Sequence, residues 1–199
     1  MTIRKEIGEV LGGVENDPRL QLLEVVRDTR TLDGGIPIYQ KAKISLSFFD
    51  PKDLYPIAKY VLKANLEFLL RMREEIEKGG VDIFRLDRIY YDSIYTIAPP
   101  IVEISDGVPA IVDGLHRCYL ARQMKKEISV VLVDGVDSNY PLISTPVSWG
   151  EVIEYSQRPE VPELLRNIRP GIGDKLRKFY RDFSRLGSLG RRPMLNQTG

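Results

Sequence analysis

The stretch from Ile101 to Asp134 constrains the fold more than any other. Ile101-Val102-Glu103-Ile104-Ser105 and Val108-Pro109-Ala110-Ile111-Val112 are apolar runs of strand length on either side of Asp106-Gly107. Both turn residues tolerate positive φ, so the three parts together predict a β-hairpin. Asp113-Gly114 closes the second run. Leu115 to Lys126 then predicts a helix, with Arg122, Lys125 and Lys126 at the end that favours cations. Ile128 to Val133 is a continuous apolar run, predicting a buried strand that ends at Asp134-Gly135. The order strand, turn, strand, tight turn, helix, strand belongs to a chain mixing helices with a sheet, and the fold class expected is α+β (mixed α/β).

The flanking regions punctuate less clearly. Thr2 to Leu11 can form a short helix stopped by Gly12-Gly13, and Arg19 to Val26 is a second amphipathic piece. Between Pro37 and Phe49, Ile38, Ala42, Ile44, Leu46 and Phe48 alternate with polar residues over part of the run, as in a strand. Asp50-Pro51 opens a long helical pattern ending at Gly79-Gly80. Asp50 is placed to cap it, and Pro56 is the residue that would move its start later. Val81 to Tyr91 predicts a strand leading into a loop. Ser148 and Glu151 spell a capping box for a short helix carrying Trp149, Val152, Ile153 and Tyr155, and a last helix is expected from about Gly173 to Leu186. These readings divide the chain into an N-terminal extension (1–80), a core (81–160) and a C-terminal helical arm (161–199), expected to form one unit.

With one cysteine, Cys118, and one histidine, His116, the chain has neither an internal disulfide framework nor a multi-cysteine or His-rich metal site. No apolar run approaches the ~18 residues of a membrane span. Met1 to Gly13 has no apolar signal core, so a cytoplasmic protein is expected. Chemistry must therefore rest mostly on Asp, Glu, Arg, Lys, Tyr and backbone groups.

The segment Asp113-Gly114-Leu115-His116-Arg117 is the candidate site. A glycine permits a tight turn and a close approach to the backbone. The helix beginning there offers unpaired N–H groups and the positive end of its dipole to an anion. Arg117 in the first turn can present a two-pronged donor to phosphate, and His116 adds a donor that titrates near neutrality. Two basic side chains in a first turn oppose the dipole, a local cost that a bound anion would offset. Asp113 reads either as a cap for the turn, or as a carboxylate that orients His116, binds a sugar hydroxyl or helps hold a phosphate-bound metal ion.

The segment PPIVEISDGVPAIVDGLHRCYLARQMKKEISVVLVDG resembles the core of the ParB/sulfiredoxin-like superfamily. The resemblance covers about residues 81–136. Members include partition proteins, sulfiredoxins, ADP-dependent free serine kinases and DGQHR-type proteins of DNA-modification systems. It implies nucleotide phosphates on Asp113, Gly114, Leu115, His116 and Arg117, with ATP, ADP or CTP as cofactor and Mg²⁺ carried by the phosphates. Leu115 stands where sulfiredoxins have their catalytic cysteine, which argues against sulfinic-acid reduction. The motif has one arginine where partition proteins carry a pair, and no helix-turn-helix pattern follows it. The serine kinases come nearest in motif. That likeness implies phosphoryl transfer to a small-molecule acceptor, or nucleotide hydrolysis, with Asp92, His116 and Asp113 as catalytic candidates. Asp92 also reads as a solvated loop carboxylate. Asp87 lies in a comparable position, and Glu103 reads as a surface residue of the hairpin.

The arm from Val161 carries nine Lys and Arg against three Asp and Glu, whereas the whole chain has a net charge of +1. Phe179, Tyr180 and Phe183 interleave with Lys175, Lys178, Arg181 and Arg185. Such a segment can follow a nucleic-acid backbone, add a cation to the nucleotide site, or dock its apolar residues on the core with its charges in water. The expected function is accordingly nucleotide binding. The alternatives are a DNA-associated module of the ParB kind and a catalytically inactive regulatory binding module. The sequence leaves the oligomeric state open.

Overall fold

A computed structural model describes residues 17–91, 96–160, 167–172 and 175–186. Helix α1 (Pro18–Arg27) starts where Asp17 accepts the Arg19 amide at 2.9 Å, and it buries Leu22 and Val26. Short strand β1 (Arg30–Thr31) follows, then β2 (Lys43–Phe49). Asp50 caps only a 3₁₀ turn, Pro51–Asp53, by accepting the Lys52 amide at 3.0 Å. Strands β3 (Tyr55–Pro56) and β4 (Tyr60–Leu62) come before α2 (Lys63–Lys78). The long helix expected from Asp50 therefore begins twelve residues later, because its first part is drawn into strand pairing. Tyr55 and Pro56 pair with Ala110 and Ile111, and Tyr60–Leu62 with Ile153–Tyr155. Gly79 ends α2 as expected, its amide reaching the Ile76 carbonyl at 2.9 Å.

Residues 81–89 form no strand. Ile83, Phe84, Leu86 and Ile89 are nonetheless buried, so this apolar pattern records packing of an irregular segment. Only β5 (Tyr90–Tyr91) pairs, with β6 (Thr96–Ile97). The central prediction holds: β7 (Ile101–Ser105), a turn with Asp106 at φ 53° and Gly107 at φ 78°, β8 (Val108–Asp113), α3 (Leu115–Gln123) and β9 (Ile128–Asp134).

The Ser148–Glu151 capping box forms, but on a single 3₁₀ turn (Trp149–Glu151). Ile153 and Tyr155 leave it in strand β10 (Ile153–Tyr155). The expected last helix is short, α4 (Leu176–Phe179). It gives way to β11 (Arg181–Asp182), paired antiparallel with β1, and a 3₁₀ turn (Ser184–Leu186). Residues 173–174 and the helix expected over Thr2–Leu11 lie outside the described residues.

The main sheet runs β2-β9-β7-β8-β3. β7 is antiparallel to β8 and parallel to β9, so α3 carries the chain across β7. Successive strand residues face opposite sides of the sheet. Val102 and Val130 pack with Leu66, Met72, Leu115, Cys118 and Ala121 on the α2/α3 side. Ile101 and Val131 pack with Leu22, Val26, Tyr39 and Phe183 on the α1 side. Burial on both faces explains why Val130 to Val133 of β9 is apolar without alternating, and the buried Ser129 hydroxyl donates to the Leu86 carbonyl. This mixed sheet with helices is the α+β fold expected. Phe48 departs from its expected inward alternation: it is 60% exposed, with the Arg85 guanidinium over its ring.

Candidate functional site: the bend between β8 and α3

β8 delivers the chain to Gly114, the N-cap of α3, at φ 81°. A Cβ there would lie 2.8 Å from the Pro100 Cβ and 2.9 Å from its Cα. The glycine thus lets Pro100 press against the bend; the close approach expected of a ligand at that point is made by the chain itself. No side chain caps α3, and no acidic residue sits in its first turn. Its internal bonds begin with the Arg117 and Cys118 amides, both donating to the Gly114 carbonyl, at 3.0 and 3.1 Å. The amides ahead of them mark the positive end of the helix.

Arg117 is 8% exposed, and its Nη1 has no hydrogen-bond partner among the described residues. Burial pushes the guanidinium below the usual arginine range, and the Asp113 charge works against that shift. A buried cation without a close partner is costly, because water no longer solvates it. Asp113 is half-buried at the end of β8. Leu115 is buried in the core, so only its backbone remains to serve a ligand. Burial also drives the Cys118 thiol up to about 12.

His116 turns toward α2. Its Nε2 accepts the Leu62 amide at 3.0 Å and lies 3.4 Å from the Asn65 Nδ2. Leu62 is the N-cap of α2, which likewise has no side-chain cap and no acid in its first turn. Two uncapped helix starts therefore meet at one imidazole. Sequence reading misplaced the start of α2 and so missed Leu62 and Asn65. The available signal was a helix start reading Leu62-Lys63-Ala64-Asn65, without a carboxylate.

The other candidates scatter. Asp92 lies outside the described residues. Asp87 pairs with Arg19 at 2.9 Å and Arg88 at 3.0 Å, which, against the cost of burial, hold its carboxyl below the usual range. Lys175 and Lys178 are exposed on the arm, and Arg185 lies 3.3 Å from Asp28.

Arg181 requires a correction: it points inward, away from any surface that nucleic acid could touch. Its Nε and Nη2 donate to the two Glu103 oxygens at 2.8 and 3.0 Å. Nη1 donates to the Phe179 and Pro141 carbonyls and Nη2 to that of Tyr140. Glu103, expected on the surface, is buried and also accepts the Tyr39 hydroxyl. Among the described residues no group of three or more His, Cys, Asp or Glu side chains is placed to hold a metal ion.

A mixed sheet whose hairpin strand turns through glycine into a helix headed by His-Arg defines a ParB-like protein. The family model of the ParB CE domain matches residues 21–153, well over half of the 199-residue chain, and the chain belongs to that family. The match runs from α1 to the start of β10, so it takes in β2 and β3 along with the hairpin and α3. No curated protein and no solved structure matches the chain.

Proposed function

We propose that the β8–α3 bend binds the phosphates of a nucleoside di- or triphosphate, with Mg²⁺ shared between those phosphates and solvent. The observation that carries this reading is the buried Arg117 with its unpartnered Nη1, in the first turn of a helix that lacks an acidic cap. An oxyanion there would supply the missing acceptor and the countercharge together. The resemblance to the ParB/sulfiredoxin-like superfamily supports the same assignment for the backbone at the start of α3, Leu115 and His116. Asp113 is the carboxylate at hand to meet a metal ion or a ribose hydroxyl. Phosphoryl transfer to a small acceptor, or hydrolysis, extends the proposal; it needs a carboxylate to orient the attacking oxygen, the role assigned to Asp92. A nucleotide ligand fits a cytoplasmic protein, and no described helix is long and apolar enough to cross a membrane.

Calorimetric titration of the purified protein with ATP, ADP, CTP and GTP in Mg²⁺ tests the reading. Saturable binding of at least one is expected. A folded protein that takes up none of them contradicts it.

A further inference from the structure

We infer that His116 is a positioning residue, one that staples the start of α2 to the start of α3 through its neutral ring and lends no positive charge to the ligand. The inference rests on the phosphate reading of the bend for its functional consequence, and on separate geometry for the staple itself. The Leu62 N–H, the amide of the α2 N-cap, donates to Nε2 at 3.0 Å. An accepting ring nitrogen carries no proton, so the neutral ring holds its proton on Nδ1. Nε2 takes the part of the N3 side chain of a capping box, which reaches back to accept the N-cap amide, and α2 has no side-chain cap of its own. The surroundings favour this form. Two positive helix ends meet here, and no acid occupies either first turn. An imidazolium would face those charges and lose the Leu62 bond as well.

A nitrogen whose lone pair is committed to Leu62 cannot also donate to a phosphate. Within the bend the anion-binding groups are then Arg117 and the backbone at the start of α3, and His116 acts through them by fixing how α3 begins against α2. Any side chain that places an acceptor at the position of Nε2 should do the same work. A glutamine can, because its Oε1 reaches about as far as Nε2 and accepts an amide; alanine cannot.

Two measurements decide it. The chain has a single histidine, so its ring nitrogens can be assigned without ambiguity by long-range ¹H–¹⁵N NMR on the unliganded wild type. The expected spectrum shows an unprotonated Nε2 and a protonated Nδ1; a protonated Nε2 overturns the inference. The second measurement compares Mg-ATP affinity and Leu62 amide exchange in His116→Gln and His116→Ala. The glutamine variant should bind within about twofold of wild type and keep the Leu62 amide protected. The alanine variant should bind about tenfold more weakly and lose that protection. Equal loss of affinity in both, with Leu62 still protected in the glutamine variant, shows that the ring touches the ligand and overturns the inference. If the wild type binds no nucleotide the phosphate reading fails, and the NMR spectrum and amide exchange still decide whether the staple exists.

Discussion

Arg117 is decisive at the scale of single residues, because burial of its Nη1 without a hydrogen-bond acceptor has no structural benefit that the described residues reveal. Replacing it by methionine removes a buried charge and keeps the length of the side chain. Arg117→Met should leave the urea midpoint unchanged or raise it, while weakening nucleotide binding by about 1–3 kcal/mol. A fall in stability with no change in binding would show that the guanidinium serves the fold alone. Gly114 makes the opposite prediction. Alanine there meets both a φ of 81° and the Pro100 side chain 2.8 Å away, so Gly114→Ala should lower stability by roughly 1 kcal/mol or more in urea denaturation.

Cys118 gives a pH signature at the same scale. Burial pushes its thiol up to about 12, well above the ordinary cysteine range. The folded chain therefore keeps a proton that the unfolded chain releases above about pH 9, so this group's contribution to stability falls as pH rises between those two values. Cys118 should accordingly resist thiol-modifying reagents at pH 8 until the protein is unfolded. Rapid labelling of the folded protein would contradict its burial.

Among elements, the decisive contact joins β11 to β7. Arg181 uses all five of its N–H donors, on Glu103 and three backbone carbonyls, and Tyr39 donates to the same carboxylate. Breaking one partner strands a buried charge, so Glu103→Gln or Arg181→Met alone should cost about 3–5 kcal/mol in urea denaturation. The double change Glu103→Leu with Arg181→Met should recover much of that loss; additive losses would show that the two side chains do not act as a pair. No sequence pattern announces this contact, because its members are 78 residues apart and each resembles a surface charge. The elements that were legible are those with local signals. Asp106-Gly107 fixes the hairpin through its own backbone angles, and the apolar run of β9 needs only its length. Residues 81–89 misled because an irregular buried segment shows the same apolar density as a strand. The helix expected from Asp50 misled because β3 and β4 take pairing partners in Ala110, Ile111 and Ile153–Tyr155, far along the chain. The bend itself was legible as Asp113 to Arg117, whereas the approach of Leu62 and Asn65 depends on how α2 packs on α3.

For the molecule as a whole, the sheet and its core draw on segments before and after the hairpin. β2 and β3 flank the hairpin and β9, and Phe183 and Leu186 complete the core beneath α1. Removing residues 175–199 should therefore lower the urea midpoint, where an arm that merely hung from the core would leave it unchanged. With Arg181 turned inward, the basic surface on the described part of the arm falls to Lys175, Arg177, Lys178 and Arg185, two of which already bond within the chain, Arg177 to the Leu32 carbonyl and Arg185 to Asp28. The central claim remains that the β8–α3 bend holds phosphate. A crystal structure of the protein grown with Mg²⁺ and the nucleotide it binds most tightly tests that claim most directly. The account predicts a phosphate oxygen within hydrogen-bonding distance of the Arg117 guanidinium, over the first amides of α3. A nucleotide bound elsewhere, with Arg117 still unpaired, would contradict it.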